Sequence, residues 1–272
     1  MLIINISEVE QVLLFNNNFF SILNIIVKDS FFIDDDISLV ARRFFIYNNN
    51  LRSNSSIMRT CWIGAAHYNN IGLLAYHAIS NCSITNRDPF CVGSALFINI
   101  LIAEILNSNI NFTFTSLIEK VKKSTESYLI EYIKEFNIKR MRDINNLKKT
   151  DPFYNMIKQN YKNNKMYHVA NVIAEILNYT NKNNFDDLII HDNISYTILP
   201  VAIAVISLKK IITNNANFID VIKEIINMGG DVNTNCAITG AVCGAFIGFE
   251  KLPHHNMEYK NFITELVEKF II

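Results

Sequence analysis

The 272-residue sequence is poor in charged residues, in proline and in glycine. Charged residues make up only 18% of it, against about a quarter in an average globular protein, while half of the residues are hydrophobic. This composition supplies ample material for a core and excludes a mainly disordered chain. The 25 basic residues balance the 25 acidic ones. Because no net field attracts a polyanion, we expect no nucleic acid as a partner and no anionic membrane.

The chain also lacks the signals of export, of metal-binding cysteine pairs and of a membrane span. Its five cysteines form no CxxC pair, which favours buried thiols over a disulfide framework or a zinc site. The first apolar stretch has no basic leader and contains Glu8 and Glu10, so we expect an intracellular, cytoplasmic protein. The longest apolar runs, 94–106 and 194–208, fall short of the ~20 residues that cross a bilayer. They predict buried core helices.

Helical periodicity is the dominant pattern. In 166–179, apolar residues recur at spacings of three and four on one face: Val169, Val172, Ile173, Ile176 and Leu177. Similar stripes predict helices in 36–47, 71–79, 94–106, 117–136 and 218–228. With four prolines and no sustained two-residue alternation, the sequence predicts an all-α fold. We expect a single domain over 1–272, with a charged and variable excursion around 107–165.

Five of the eight glycines lie between positions 229 and 248. Gly240, Gly244 and Gly248 are spaced by four residues, which places them on one helix face with three alanines beside them. Glycine costs up to about 1 kcal/mol relative to alanine within a helix. We therefore expect another backbone to pack closely against this glycine ridge.

The segment GGDVNTN, at 229–235, immediately precedes the glycine ridge. Its glycines permit a sharp turn, after which Asp231, Asn233 and Thr234 present oxygen atoms at a helix N-terminus. Backbone amides and the helix dipole favour anions there, so the turn suits a phosphate or a hydrated cation. The same residue types are preferred N-caps, and for the segment alone capping is the favoured interpretation.

Three blocks of the sequence resemble the ADP-ribosylglycohydrolases, in the family's order. GGDVNTNCAITGAVCGAFIGFEKLP, at 229–253, is similar to the family's signature GGDTDTNAAIAGALAGAxxG, which a short loop ending in proline follows. SNSSIMRTCWIG, at 53–64, resembles GNGAAMRxxPIG. ITNRDPFCVGSALF, at 84–97, resembles ITHxHPxxxxGSxxxALF. The resemblance extends over most of the chain and is weakest in 109–165.

The resemblance implies a compact, orthogonal all-α bundle that binds ADP-ribose over two magnesium ions. Enzymes of this family cleave the glycosidic bond between ADP-ribose and an acceptor. The implied metal ligands fall on five positions of this chain: Ser7, Glu8, Asp231, Asn233 and Thr234. Glu8 and Asp231 are the implied catalytic acids. Two Mg²⁺ ions bring four positive charges, which hard anionic oxygen ligands must offset.

The metal-binding positions depart from the family pattern. The second aspartate of the GGDTDT turn is Asn233, and the threonine before it is Val232. The family's TDDTQL falls on SEVEQVL, at 7–13, where Val9 cannot bind a metal and the longer side chain of Glu8 shifts its oxygens. The family's leading helix with its GDxxG turn has no counterpart upstream. Four aspartates are thus reduced to Asp231 and Glu8.

Five further residues are candidates for contacts with ADP-ribose. Asn54 and Thr85 match the family motifs. Arg59 suits forked contacts to a pyrophosphate, and pairing with a core carboxylate is an equal alternative. Ser195 and Tyr196 are candidates for the ribose and the adenine, although for Tyr196 packing is the favoured interpretation.

The carboxylate deficit predicts weak or absent Mg²⁺ binding and impaired hydrolysis, in a protein that retains ADP-ribose or an ADP-ribosylated protein as its partner. Two alternatives remain open, because chemistry depends on the site and not on the fold. One is an active hydrolase in which Asp231, Thr234 and Glu8 hold the metal, with Glu10 as a further candidate and Asp34, Asp35 or Asp36 as substitutes. The other is a structural protein without a ligand, comparable to the crystallin-like members of the family. We expect a monomer.

Overall fold

The computed structural model describes residues 52–108, 113–145, 149, 154–155, 166–188, 194–253, 261–262, 264–265 and 268. Nine α-helices have both ends in these ranges: α1 Ser55–Thr60, α2 Trp62–Ala66, α3 Ile71–Thr85, α4 Pro89–Asn107, α5 Phe114–Asn145, α6 Val169–Thr180, α7 Ile198–Asn214, α8 Phe218–Met228 and α9 Val232–Ile247. Two 3₁₀ turns, Phe185–Asp187 and Phe249–Lys251, follow α6 and α9. The described residues contain no strand, only an isolated antiparallel bridge between Ser53 and Tyr196. The all-α prediction is confirmed.

Helix α4 is the centre of the fold. Its residues from 89 to 105 are all buried, and α1, α2, α3, α5, α6, α7 and α9 contact it. A helix that is apolar around its whole circumference has to be covered on every side. Helix α4 is long and apolar enough to cross a membrane, yet 94% of its most apolar 18-residue window is buried inside the fold. This is the environment of the core helix predicted from 94–106.

The other predicted helices occur where the apolar stripes lie. The stripes at 71–79, 117–136, 166–179 and 218–228 fall almost entirely within α3, α5, α6 and α8. The stripe at 36–47 lies outside the described residues. Helix α5 buries one face at a spacing of four residues: Leu117, Val121, Thr125, Leu129 and Ile133. The charged segment therefore contributes to the core as well as to the surface, and its variability among relatives stays a prediction.

Helix α2 lies directly against α4 at Gly64. The Gly64 N–H donates to Asn99 Oδ1 at 2.7 Å, and the Asn99 amide donates to the Ala95 carbonyl at 2.8 Å. A Cβ atom added at Gly64 would lie 2.5 Å from the Asn99 carbonyl oxygen. Only glycine permits this approach. Asn99 in return satisfies an N–H of the first turn of α2, which has no partner within that helix.

The glycine ridge of α9 is not packed as expected. Helix α9 buries one face, which includes Ile238 and Val242, and the ridge lies on the opposite side. A Cβ atom at Gly240 would meet nothing within 4 Å, and one at Gly244 only the Leu252 side chain at 3.7 Å. Among the described residues no backbone approaches the ridge, so that expectation is wrong. Gly248 lies beyond the ridge and ends α9 with a φ of 80°, a left-handed value typical of glycine there.

All five cysteines are free thiols. Cys82, Cys91 and Cys243 are buried, while Cys61 and Cys236 are half-buried. Burial raises the pKa of Cys82 to about 11 and that of Cys243 to about 12. These thiols are therefore protonated and inert at neutral pH, as expected for core residues.

We predict that Gly64→Ala destabilises the protein by about 1–3 kcal/mol, because the added methyl group forces α2 away from α4. Gly240→Ala is the matched control, since its methyl group enters open space and removes up to about 1 kcal/mol of helix-propensity cost. Urea unfolding of both variants measures the difference. Equal stabilities would contradict the close approach at Gly64.

Candidate functional site

The candidate site forms where the start of α1 meets the start of α9. The buried amide of Asn54 donates to Oδ2 of Asp231 at 2.8 Å, across 177 positions of sequence. Gly229 and Gly230 precede Asp231 with φ values of 78° and 75°, which side chains rarely tolerate. The double glycine is therefore what turns the chain so that Asp231 faces Asn54.

Asp231 occupies the N-cap position of α9 but does not act as a side-chain cap. Its side chain makes no capping hydrogen bond to the helix, and its carboxylate is hydrogen-bonded to Asn54 instead. The capping interpretation, which the segment alone favoured, thus fails for this side chain. The first turn of α9 keeps amide groups that Asp231 does not satisfy.

One turn further along, α1 and α9 meet again. The buried hydroxyl of Thr234 donates to the sulfur of Met58 at 3.7 Å. Asn233, in contrast, is exposed to solvent in the first turn of α9. The family motifs that contain Asn54 and Asp231 therefore face each other over two contacts, which fixes their relative position.

A third motif segment reaches the start of α1 through Asn86. The hydroxyls of Ser55 and Thr85 both donate to Asn86 Oδ1, at 3.2 and 2.6 Å. Asn86 is buried, while Thr85 is exposed. The sequence pointed to Thr85 and missed Asn86 as the link, because its position between α3 and α4 appears only in the folded chain.

The fourth segment, which contains Ser195 and Tyr196, pairs with the backbone before α1. Asn54 N–H donates to the Ser195 carbonyl at 2.9 Å, and Thr197 N–H donates to the Arg52 carbonyl at 2.8 Å. The Tyr196 hydroxyl donates to Glu175 of α6, and its ring packs edge-on against Tyr179 at 6.1 Å. These contacts give Tyr196 partners within the fold, and the contacts of Ser195 and Tyr196 with ADP-ribose stay predictions.

Among the described protein groups Arg59 binds oxygens of α3, and its contact with a pyrophosphate stays a prediction. Its Nε donates to the Asn81 side chain at 3.1 Å and its Nη2 to the Asn81 carbonyl at 2.9 Å. Burial lowers the pKa of Arg59, although a guanidinium stays charged at neutral pH. Among the described residues it binds no core carboxylate. Its forked geometry ties α1 to α3.

A buried acid that the sequence analysis did not single out lies beside the site. Asp88 is fully buried and caps α4 by accepting from Phe90 N–H at 2.8 Å. It also accepts from the Tyr167 hydroxyl at 2.9 Å and lies 3.5 Å from Nε of Arg52. Burial raises the pKa of Asp88, while Arg52 and these hydrogen bonds oppose the rise. The sequence signal for Asp88 was its position before Pro89 and an apolar run, and this pattern indicates only a helix N-cap.

The described donor set does not fit a pair of magnesium ions. Ser7 and Glu8 lie outside the described residues, so their implied roles stay predictions. Asp231 supplies the one carboxylate of the acidic turn, and Asn54 already occupies one of its oxygens. In the part of the chain that the structure describes, no three His, Cys, Asp or Glu side chains are grouped to hold a metal. One negative charge does not offset two dications.

The sequence pattern of the ADP-ribosylglycohydrolases matches residues 37–272. The chain belongs to this family. The three motif segments at 53–64, 84–97 and 229–253 all lie inside the residues that match the family. A search of curated proteins finds no match. Membership accounts for the shared all-α fold and for an ADP-ribosylglycohydrolase-like function.

We predict that Tyr167→Phe lowers the free energy of unfolding by about 1–3 kcal/mol at pH 7, because a buried carboxylate loses a donor. The loss should shrink near pH 4. The folded-state pKa of Asp88 is raised, so its contribution to stability is greatest below its usual pKa and falls as pH rises through the folded value. Removing the Tyr167 hydroxyl raises the folded-state pKa of Asp88 further. The loss of stability between pH 4 and pH 7 is therefore larger in Tyr167→Phe.

Tyr132→Phe is the control for this prediction. The Tyr132 hydroxyl donates to the Arg87 carbonyl at 2.6 Å, an acceptor that does not titrate, so its loss should be equal at both pH values. Urea unfolding at pH 4 and pH 7 compares the two variants. The same pH dependence in both would show that Tyr167 does not stabilise a charged Asp88.

Proposed function

We propose that this ADP-ribosylglycohydrolase family member binds ADP-ribose, free or attached to a protein, at the junction of α1 and α9, with impaired or lost hydrolysis. The observation that carries the proposal is the convergence of three separate segments on residues 54–58. Asp231 contacts Asn54, Thr234 contacts Met58, Asn86 contacts Ser55, and the Ser195 carbonyl accepts from Asn54.

The start of α9 supports binding of a phosphate-bearing ligand. The helix has 16 residues, and Asp231 leaves its first amide groups without a side-chain cap. Such amides, together with the helix dipole, attract the negative charge of a diphosphate. Asn233 is exposed beside them and offers both a donor and an acceptor for ribose hydroxyls. ADP-ribose carries both kinds of group.

The same residues support the loss of metal-dependent chemistry. Asn233 is neutral where the family has a second aspartate, and the Thr234 hydroxyl is directed to a sulfur atom. The charge that two Mg²⁺ ions require is therefore missing from the described part of the site. Five free thiols agree with a reducing compartment, and we extend the proposal to a cytoplasmic monomer.

We predict that ADP-ribose raises the melting temperature without Mg²⁺. Stabilisation reaches ~2.7 kcal/mol at 100 times Kd, which corresponds to several degrees for a domain of this size. Asn233→Leu should reduce the shift, because it removes the exposed donor and acceptor for the ribose, whereas Asn214→Leu at the exposed end of α7 should not. A shift that requires Mg²⁺ would support an active hydrolase. No shift with either addition would support a structural protein.

We predict that Val9→Asp combined with Asn233→Asp restores tight Mg²⁺ binding, because two carboxylates return to the positions that the family uses. Calorimetry with Mg²⁺ and Mn²⁺ measures the gain over the parent protein. The matched control is Val9→Asp with Asn214→Asp, which adds the same charge at the exposed end of α7. Equal affinities in both double variants would show that residue 233 binds no metal, and no gain of either variant over the parent would count against the alignment of residues 7–13 with the metal-binding turn.

A further inference from the structure

Arg52 is held in place by three different contacts. Its guanidinium carbon lies 3.6 Å from the centre of the Phe90 ring, a cation–π geometry. Its Nε lies 3.5 Å from Oδ1 of the buried Asp88. It also interacts with the Tyr196 hydroxyl. All three partners surround the N-terminus of α4 or the segment that pairs with residues 52–54, so Arg52 connects the two.

The partners of Arg52 are themselves anchored from α5. The Asn137 side chain donates to the Tyr167 carbonyl at 2.9 Å and accepts from the Tyr167 N–H at 3.2 Å. The Arg140 guanidinium lies 5.5 Å above the Tyr167 ring. Tyr167 then donates its hydroxyl to Asp88. The position of the buried carboxylate is thus determined by α5 as well as by α4.

Arg52 is two residues from Asn54, and the backbone between them is paired. The Arg52 carbonyl and the Asn54 N–H bind Thr197 and Ser195, on either side of the Ser53–Tyr196 bridge. Because these two hydrogen bonds hold the backbone on both sides of Ser53, fixing Arg52 also sets the position of Asn54. Asn54 in turn donates to Asp231.

We propose that Arg52, held by Asp88, is a positioning residue for the Asn54–Asp231 contact. It acts through the short backbone pairing with residues 195–197 and does not itself touch the ligand. As far as the proposal concerns ligand affinity, it rests on the proposed binding of ADP-ribose. Loss of Arg52 or of the Asp88 charge releases Asn54 and misplaces the carboxylate at the start of α9.

A second buried carboxylate on α4 provides the matched control. Glu104 is 5% exposed and pairs with Lys120 of α5. It lies 16 positions after Asp88, about 24 Å along the helix axis. Asp88→Asn and Glu104→Gln therefore remove the same charge from opposite ends of the same helix. Only Asp88→Asn removes a carboxylate that lies next to Arg52.

The first experiment measures backbone hydrogen exchange in the full chain, without ligand. Asp88→Asn and Arg52→Gln should speed exchange of the Asn54 and Thr197 amides roughly tenfold, as local opening becomes easier. Glu104→Gln should leave both amides unchanged. Wild-type exchange at these amides in both site variants would overturn the proposal, and so would an increase spread evenly over all helices. Arg52 is partly exposed, so Arg52→Gln decides the matter if Asp88→Asn does not fold.

The second experiment titrates ADP-ribose into the same variants by calorimetry. Asp88→Asn and Arg52→Gln should each weaken binding about tenfold, the size typical of losing an outer partner of a binding residue. Glu104→Gln should bind as the parent does. Unchanged affinity in the site variants would overturn the positioning role. If the parent protein itself binds no ADP-ribose, the proposed function fails, and the exchange experiment alone decides the role of Arg52.

Discussion

The complete burial of α4 is the constraint on which the rest of the described structure depends. A helix without a polar face has to be covered on every side, and seven other helices provide the cover. The helix begins at a buried charge, Asp88, which needs partners that the apolar core does not offer. Arg52 and Tyr167 meet that need. The residues that position the segment before α1 are therefore gathered at the N-terminal end of the central helix.

At the site, the amide of Asn54 is hydrogen-bonded to the carboxylate of Asp231, a residue that matches a metal-binding position of the family. The Asn54–Asp231 hydrogen bond stabilises a single negative charge at the start of α9. Asn233 and Val232 add no charge to it. A fold can survive this change because the contacts of α1 with α9 do not depend on the metal. Membership of the ADP-ribosylglycohydrolase family is thus compatible with the loss of metal chemistry that we propose.

Sequence patterns located helices well and explained individual side chains less well. The stripes at 166–179 and 218–228 correspond to α6 and α8 because a single amphipathic face is a local property. The interpretation of the glycine ridge failed because spacing shows that residues share a face, not what lies opposite it. For Arg59 the sequence left a pyrophosphate and a core carboxylate as equal alternatives, and the fold adds the carbonyl and amide oxygens of Asn81 as partners. A guanidinium accepts many partners, and only packing selects among them.

The sequence by itself determined the fold class, the family and the deficit of acids in the glycine-rich turn, because periodicity, motif order and residue identity are all properties of the linear chain. Tertiary structure alone decided that Asp231 bonds to Asn54 instead of capping α9, and that Asp88 holds Arg52 beside the site. The partners in these contacts come from distant parts of the chain. Their choice depends on which polar groups burial leaves without water, and that is settled only when the helices pack.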